Sequence, residues 1–401
     1  MTIVVIGTGY VGLPAALLLA RAGHDVVGVD INENLVRAIN EGVLLIREDE
    51  LQKVMDDPAV KANLRAQTTP TEGDVFIIAV PTPLDHRKKV ADMSYVDDAV
   101  QSLLPYLRRG NLIIIESTIP PLTCRERLTP VIERETGFVV GEDIYLAHCP
   151  ERILPGDIFY EIVHNDRIIG GINAVTREKA AAVYASFVKG NLYKTDDVTA
   201  ELVKLMENSY RDVNIALANE FNAVAETLGI DGHEAIDLAN RHPRVNILKP
   251  GIGVGGHCIP IDPWFIKEVD PANSRLIFTS RLINDEMPYR TAARIRRAVR
   301  DLPAPRIIAL GAAYKANTED LRESPALVVV EDLLADGYDV VHYDPLVLDE
   351  RYHYPSSLVE ACRGADLVAI LVPHQELLEA LEGQRSQIEG VMRTPRIIHY
   401  G

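Results

Sequence analysis

Thr2-Ile-Val-Val-Ile6 followed by Gly7-Thr-Gly9-Tyr10-Val11-Gly12 decides how the start of this chain folds. Thr2 to Ile6 is a short unbroken apolar run, the pattern of a strand buried on both faces. An apolar helix is predicted from Leu13 to about Ala22, ended by Gly23, and a second strand, His24 to Val29, closes on Asp30. Each piece has a mechanical job in a dinucleotide site. Gly7 makes the tight turn, Gly9 admits a pyrophosphate, and Gly12 lets helix and strand pack closely. Tyr10 and Val11 share that turn, and the helix N-terminus faces the phosphates. Asp30 arrives where a carboxylate accepts hydrogen bonds from a ribose 2′-OH, so NAD is expected rather than NADP.

Further strands are expected at Asp74 to Val80, Leu112 to Glu116 and Asp143 to Ala147, while residues 33 to 72 read as helical and polar. Ligands of open parallel sheets bind beyond the carboxyl ends of the strands, which makes Thr82 and Thr118 cofactor candidates. The third of these strands leads into His148-Cys-Pro-Glu151-Arg152-Ile153. Short strands are expected at 168–171 and 191–194, around a helix near 176–188. One long helix follows, Val198 to Leu228, with Gly229 as its stop. Lys204, Asn208 and Arg211 stand at i, i+4 and i+7, on one face of it.

A shorter helix, 231–240, precedes Arg241-His242-Pro-Arg244 and then Gly251-Ile-Gly253-Val-Gly255-Gly256-His257-Cys258-Ile-Pro-Ile-Asp262. Glycines at this density let the backbone pass where a Cβ would clash, in a turn or against a ligand. Such a loop either presents a thiol to substrate or simply carries a buried cysteine. A polar helix is expected at 273–300 and a linker at 301–305. Strand–helix alternation then restarts with strands at Arg306 to Leu310, Asp339 to Tyr343 and Asp366 to Val372, and a helix near 356–362. The expected fold class is α/β: two Rossmann-like doubly wound parallel sheets joined by a central helical domain. The boundaries expected are 1–195, 196–300 and 301–401.

With 47% hydrophobic and 25% charged residues over 401 positions, the chain has the composition of a multidomain globular protein. A formal net charge of −17 argues against nucleic acid, which needs a basic footprint. Cys124, Cys149, Cys258 and Cys362 form no Cys-x-x-Cys pair. That spacing suits reduced thiols, a cytoplasmic location and no metal site. No apolar run reaches membrane-spanning length, and no basic leader precedes the first strand.

From end to end the chain resembles the nucleotide-sugar 6-dehydrogenases, the UDP-glucose/GDP-mannose dehydrogenase family. The motifs are Gly7-Thr-Gly-Tyr-Val-Gly12, Glu116-Ser-Thr118-Ile-Pro, Cys149-Pro-Glu151-Arg, Leu202-Val-Lys204 through Asn208-Ser-Tyr-Arg211, Gly253 to Asp262, and Tyr314-Lys315 with Asp320-Leu-Arg322. The resemblance implies NAD as cofactor, a UDP-sugar substrate, a homodimer through the central domain, and oxidation of the sugar C6 alcohol to an acid. It implies Cys258 as the nucleophile, Lys204 and Asn208 at the developing oxyanion, Asp262 as an orienting carboxylate, and Glu151 as a base for hydrolysis. Arg152, Ile153, Arg211, His242, Arg244, Gly255, Tyr314 and Lys315 become substrate-binding candidates, and Arg322 joins the cofactor set. Among members, Ala147 to Gly156 together with Gly255 to Trp264 is most similar to enzymes acting on N-acetylmannosamine sugars; the gluco epimer and UDP-glucose remain alternatives. Glucose-type members commonly carry a second glutamate four residues after the first, which this chain lacks. Its C-terminus also lacks the acidic-plus-arginine ending of many relatives. Other readings are a 3-hydroxy-acid dehydrogenase, which would not need the cysteine loop, and a non-catalytic nucleotide-sugar sensor, which could dispense with Cys258 and Lys204.

Overall fold

The apolar runs become the inner strands of two parallel sheets. The computed structural model describes residues 1–45, 49–152, 158–347 and 357–401. The chain forms two units: Met1–Met206 with Trp264–Asp270, and Glu207–Pro263 with Pro271–Gly401.

The strands of the first unit are β1 Thr2–Ile6, β2 Asp25–Val29, β3 Leu64–Gln67, β4 Val75–Ile78, β5 Leu84–Asp85, β6 Val90–Ala91, β7 Leu112–Ile115, β8 Tyr145–His148, β9 Arg167–Gly171 and β10 Leu192–Thr195. Eight of them make one sheet in the order β10-β9-β8-β7-β4-β1-β2-β3, and β5 and β6 form a separate hairpin. All sheet neighbours run parallel except β8 and β9. Successive side chains go to opposite faces. Ile3 and Val5 pack with Leu13 and Leu17 on one side, while Val4 and Ile6 pack with Phe76 and Val96 on the other. Burial on both faces is why these strands read as continuous apolar runs. The segment expected to be helical up to residue 72 ends instead in β3, an edge strand only partly buried. Chain order reverses between β1 and β4, which opens the crevice where such sheets bind ligands.

Only one tryptophan occurs in the chain, and it belongs to this unit. Trp264 lies in the helix Asp262–Val269 and is 4% exposed. The ammonium groups of Lys89 and Lys267 each stand 5.0 Å from its ring centroid. Glu268 accepts from the Ala91 N–H at 2.9 Å, tying that helix to the β5–β6 hairpin.

In the second unit β11 Arg306–Leu310, β12 Asp339–Tyr343, β13 Leu367–Ile370 and β14 Arg396–His399 form a parallel sheet in the order β12-β11-β13-β14. Ile307 and Ala309 pack with Ala292, Ile295 and Leu333 on one face; Ile308 and Leu310 pack with Leu358, Leu377 and Ile388 on the other. β14 and the helices Gln375–Gly383 and Arg385–Val391 lie beyond the last strand expected from sequence. The long helix spans Asp197–Leu228, and the helix Arg275–Val299 covers one face of this sheet.

Candidate functional site

The first unit carries the dinucleotide features at the carboxyl ends of β1, β2, β4 and β7. Gly7 has φ +87°, and a Cβ there would stand 2.5 Å from the Ala79 carbonyl oxygen, so only glycine fits. A Cβ on Gly12 would collide with the Gly7 carbonyl oxygen. Around Gly9, by contrast, a Cβ would meet nothing within 4 Å. Packing explains the first and third glycines, and the second leaves open space for a ligand's phosphates. Tyr10 is exposed and Val11 half-buried at the rim. Asp30 follows β2, and its Oδ2 accepts from the Thr8 N–H at 2.9 Å. The same carboxylate accepts from Asn32 N–H through Oδ1, which fixes its orientation. Thr82 Oγ1 donates to the Thr118 carbonyl at 2.6 Å, so these two candidates meet at the ends of neighbouring strands. These residues fit a bound NAD.

Glu151 follows β8 and is 8% exposed. It forms an ion pair with the Arg167 guanidinium, and its other oxygen accepts from the Arg152 N–H at 2.7 Å. Arg167 also reaches Glu116 Oε1 at 3.0 Å, and the Tyr184 hydroxyl donates to that same oxygen at 2.6 Å. Two carboxylates thus face one guanidinium, all of them buried. Burial pushes the Glu116 carboxyl up, past what the Arg167 charge recovers, with Glu151 adding to the rise. Glu116 Oε2 has no hydrogen-bond partner among the described residues. Arg152 sends Nη1 to the Asp166 carbonyl at 3.0 Å. Ile153 lies outside the described residues. Burial lowers His148 to about 3, and nearby Lys204 adds to the fall, so its imidazole is neutral. Lys204 is half-buried on the long helix. Lower on that helix, Glu201 accepts from the Leu122 and Cys124 N–H groups, and burial raises it to about 7.

In the second unit the glycine–cysteine loop packs on the segment after β11. Gly253 and Gly256 have φ +136° and +87°. A Cβ on Gly255 would stand 2.5 Å from the Glu323 carbonyl oxygen, and one on Gly256 2.9 Å from the Tyr314 ring. The Gly256 N–H donates to the Arg322 carbonyl at 2.9 Å. Gly253, Gly255 and Gly256 are therefore demanded by close packing on residues 314–325, while a Cβ on Gly251 would meet nothing within 4 Å. Cys258, His257, Tyr314, Asp320 and Arg322 gather here. Burial raises the Tyr314 hydroxyl, with Asp320 and Cys258 contributing. Arg322 pairs with Asp320 at 2.6 Å. The Cys258 carbonyl accepts from Ile261 and Asp262 N–H groups, and Cys258 is half-buried while the other three cysteines are fully buried. Asp262, 2% exposed, accepts from Asn208 Nδ2 at 2.6 Å. Arg211 is half-buried, and His242, Arg244 and Lys315 are exposed.

Sequence reasoning did not single out Arg167, Tyr184 or the polar cluster Asp212–Arg281–Asn284–Asn219. The only signal for Arg167 was indirect: two acidic residues ending neighbouring buried strands need a counter-ion.

Comparison with known proteins agrees with this geometry. Residues 1–188 match the NAD binding domain of the UDP-glucose/GDP-mannose dehydrogenase family, 198–286 its central domain, and 308–399 its UDP binding domain. A UDP-N-acetyl-D-mannosamine dehydrogenase of Methanocaldococcus jannaschii is 50% identical over 378 residues, covering 93% of this chain and 86% of that one. The structure of a UDP-D-ManNAc dehydrogenase from Pyrococcus horikoshii superposes with a TM-score of 0.93 at 41% identity, covering 100% of this chain and 95% of the other. An NDP-N-acetyl-D-galactosaminuronic acid dehydrogenase of Ralstonia nicotianae is 42% identical over 410 residues, covering 98% of this chain and 95% of that one. The chain belongs to the UDP-glucose/GDP-mannose dehydrogenase family. Within that family it is an NAD-dependent oxidoreductase that acts on a UDP-sugar.

Proposed function

We propose that this protein oxidises the C6 alcohol of UDP-N-acetyl-D-mannosamine to the uronate. The identity of 50% over 93% of the chain with an enzyme named for that substrate carries the reading. Overall, the alcohol, two NAD⁺ and one water give the carboxylate, two NADH and three protons. NAD, when bound, accepts the hydride in each of the two oxidations. Cys258 Sγ adds as thiolate to the aldehyde carbon, and the resulting thiohemiacetal loses hydride to become a thioester. Water cleaves the thioester, with Glu151 taking its proton, and the thiol is regenerated. Lys204 is assigned to the developing oxyanion or a proton relay. Asn208 belongs beside it in the family motif, and its bond to Asp262 gives it a second task, orienting that carboxylate.

Arg152, Ile153, Arg211, His242, Arg244, Gly255, Tyr314 and Lys315 are assigned to the substrate, and Gly7, Gly9, Tyr10, Val11, Gly12, Asp30, Thr82, Thr118 and Arg322 to NAD. The three-domain division at 195 and 300 belongs to the same proposal, as does a homodimer. Leu217, Phe221, Val224 and Leu228 recur along one face of the long helix and are exposed, as a subunit interface requires. A cytoplasmic location fits four free thiols. No helix among the described residues is long and apolar enough to cross a membrane.

The purified protein, assayed with NAD against UDP-N-acetylmannosamine, its gluco and galacto epimers and UDP-glucose, should turn over the manno sugar fastest with two NADH per sugar. Best turnover of the galacto epimer, the reading favoured by the Ralstonia relative, would replace this assignment. A yield of one NADH would remove the thioester route.

A further inference from the structure

Between the helices Gly232–Ala239 and Asp262–Val269 the chain has no regular secondary structure, yet several of its backbone polar groups are hydrogen-bonded. Side chains of the long helix supply three of these bonds. Asn214 donates to the Asn246 carbonyl at 3.0 Å and accepts from the Leu248 N–H at 2.9 Å. Asn219 Oδ1 accepts from the Gly251 N–H at 2.9 Å, at the entrance to the glycine–cysteine loop. Asn208 holds Asp262 at the loop's exit.

Asn219 is 1% exposed and belongs to a longer chain of bonds. Its Nδ2 donates to Asn284 Oδ1 at 3.0 Å. Asn284, also 1% exposed, sends Nδ2 to the Asp212 carboxylate and to the Asp212 carbonyl, each at 2.9 Å. Asp212 is ion-paired with the buried Arg281. Taken alone, each amide could sit either way round. Both Asp212 groups facing Asn284 only accept, so Asn284 must present its NH₂ there and its oxygen to Asn219. Asn219 must then turn its own NH₂ to Asn284, which leaves its oxygen for Gly251. The buried ion pair therefore sets the direction of every bond up to the loop.

We propose that Asn219 is a positioning residue for the nucleophile: it holds Gly251, and so the path of the loop that presents Cys258, in an orientation imposed through Asn284 by Asp212. This deepens the reading above and rests on Cys258 as the nucleophile. Asn219→Ala removes the tether and keeps the Asp212–Arg281 pair. It should lower kcat on the order of 10²-fold, the scale of a slight misplacement of reacting groups. The KM for NAD should stay unchanged. Hydrogen exchange at the Gly251 amide should quicken by roughly tenfold, the loss of one net hydrogen bond. Leu333→Ala, in the sheet core of the same unit, should keep kcat even if it melts earlier, which separates positioning from general destabilisation. Should Asn219→Ala not fold, Asn284→Ala breaks the same chain one link back and should give the same pattern. Wild-type kcat in the tested variant, unchanged exchange at Gly251, or an equal kcat loss in Leu333→Ala would overturn the proposal. Exchange reads the tether without turnover. Full activity of Cys258→Ser would therefore end the nucleophile reading, while the exchange result would still test the tether.

Discussion

Arg167→Met tests whether the first unit depends on one guanidinium between two buried carboxylates. Arg167, Glu116 and Glu151 are 4%, 2% and 8% exposed. Removing one partner of a buried ion pair costs about 3–5 kcal/mol, because the other charge stays behind without water. Glu116 already resists ionisation through burial, so most of the penalty falls on Glu151 and the lower end, about 3 kcal/mol, applies. For a domain of roughly 150–250 residues that is a fall in Tm of about 6–12 °C. The pH dependence has a definite sign. A carboxyl whose folded pKa is raised above its unfolded value stabilises the fold below the unfolded pKa, and that stability is lost as pH rises through the folded value. Without Arg167 the Glu116 carboxyl loses the cation that opposes its rise and is raised further, so the deficit against wild type should be largest near neutral pH and should shrink toward about pH 5. Thermal melts of both proteins across that range measure it. A deficit below about 1 kcal/mol, or one that grows on acidification, would show that the cluster is not held by Arg167.

Cys258→Ser should lose at least about 10³-fold in turnover while keeping its affinity for NAD, measured by NADH production and by calorimetry; near-normal NADH production would exclude the thioester. Asp30→Ala should narrow the preference for NAD over NADP by roughly tenfold, about 1.4 kcal/mol, and an unchanged ratio in steady-state kinetics would remove Asp30 from cofactor choice. Glu201 is raised to about 7 by burial, so its stabilising effect is complete below 4.5 and lost as pH rises through about 7. Glu201→Gln should flatten the stability–pH curve over that window by up to about 3 kcal/mol, and a denaturation series with the wild-type slope would contradict this.

The inner strands were legible because both of their faces are buried, so Thr2–Ile6 and Leu112–Ile115 announce themselves by composition alone. Two of the four edge strands escape that logic. Leu64–Gln67 and Arg396–His399 each pair on one side only and keep polar or half-exposed residues, leaving no apolar run to find. The candidate site residues were legible where chemistry forces a residue type at a fixed spacing, as at Gly7, Gly12, Asp30 and the loop that carries Cys258. The partners of those residues were not. Arg167 meets Glu116 across 51 positions and Asn284 meets Asp212 across 72, separations that carry no periodicity. Asn208 shows the limit of a motif: its spacing placed it on the right face of the helix, but only the fold revealed Asp262 as its partner.

A single indole makes this protein its own optical probe. Trp264 begins two residues beyond Asp262, at the downstream end of the cysteine loop, and is shielded from solvent beside two ammonium groups. Its emission therefore reports one known place, without the averaging that several tryptophans would impose. Reduced nicotinamide absorbs where indole emits, so quenching follows cofactor occupancy, and the wavelength of the residual emission follows how well the helix Asp262–Val269 stays packed on its hairpin. Lys89→Ala leaves the indole in place and removes one cation, giving a spectral control with no added label.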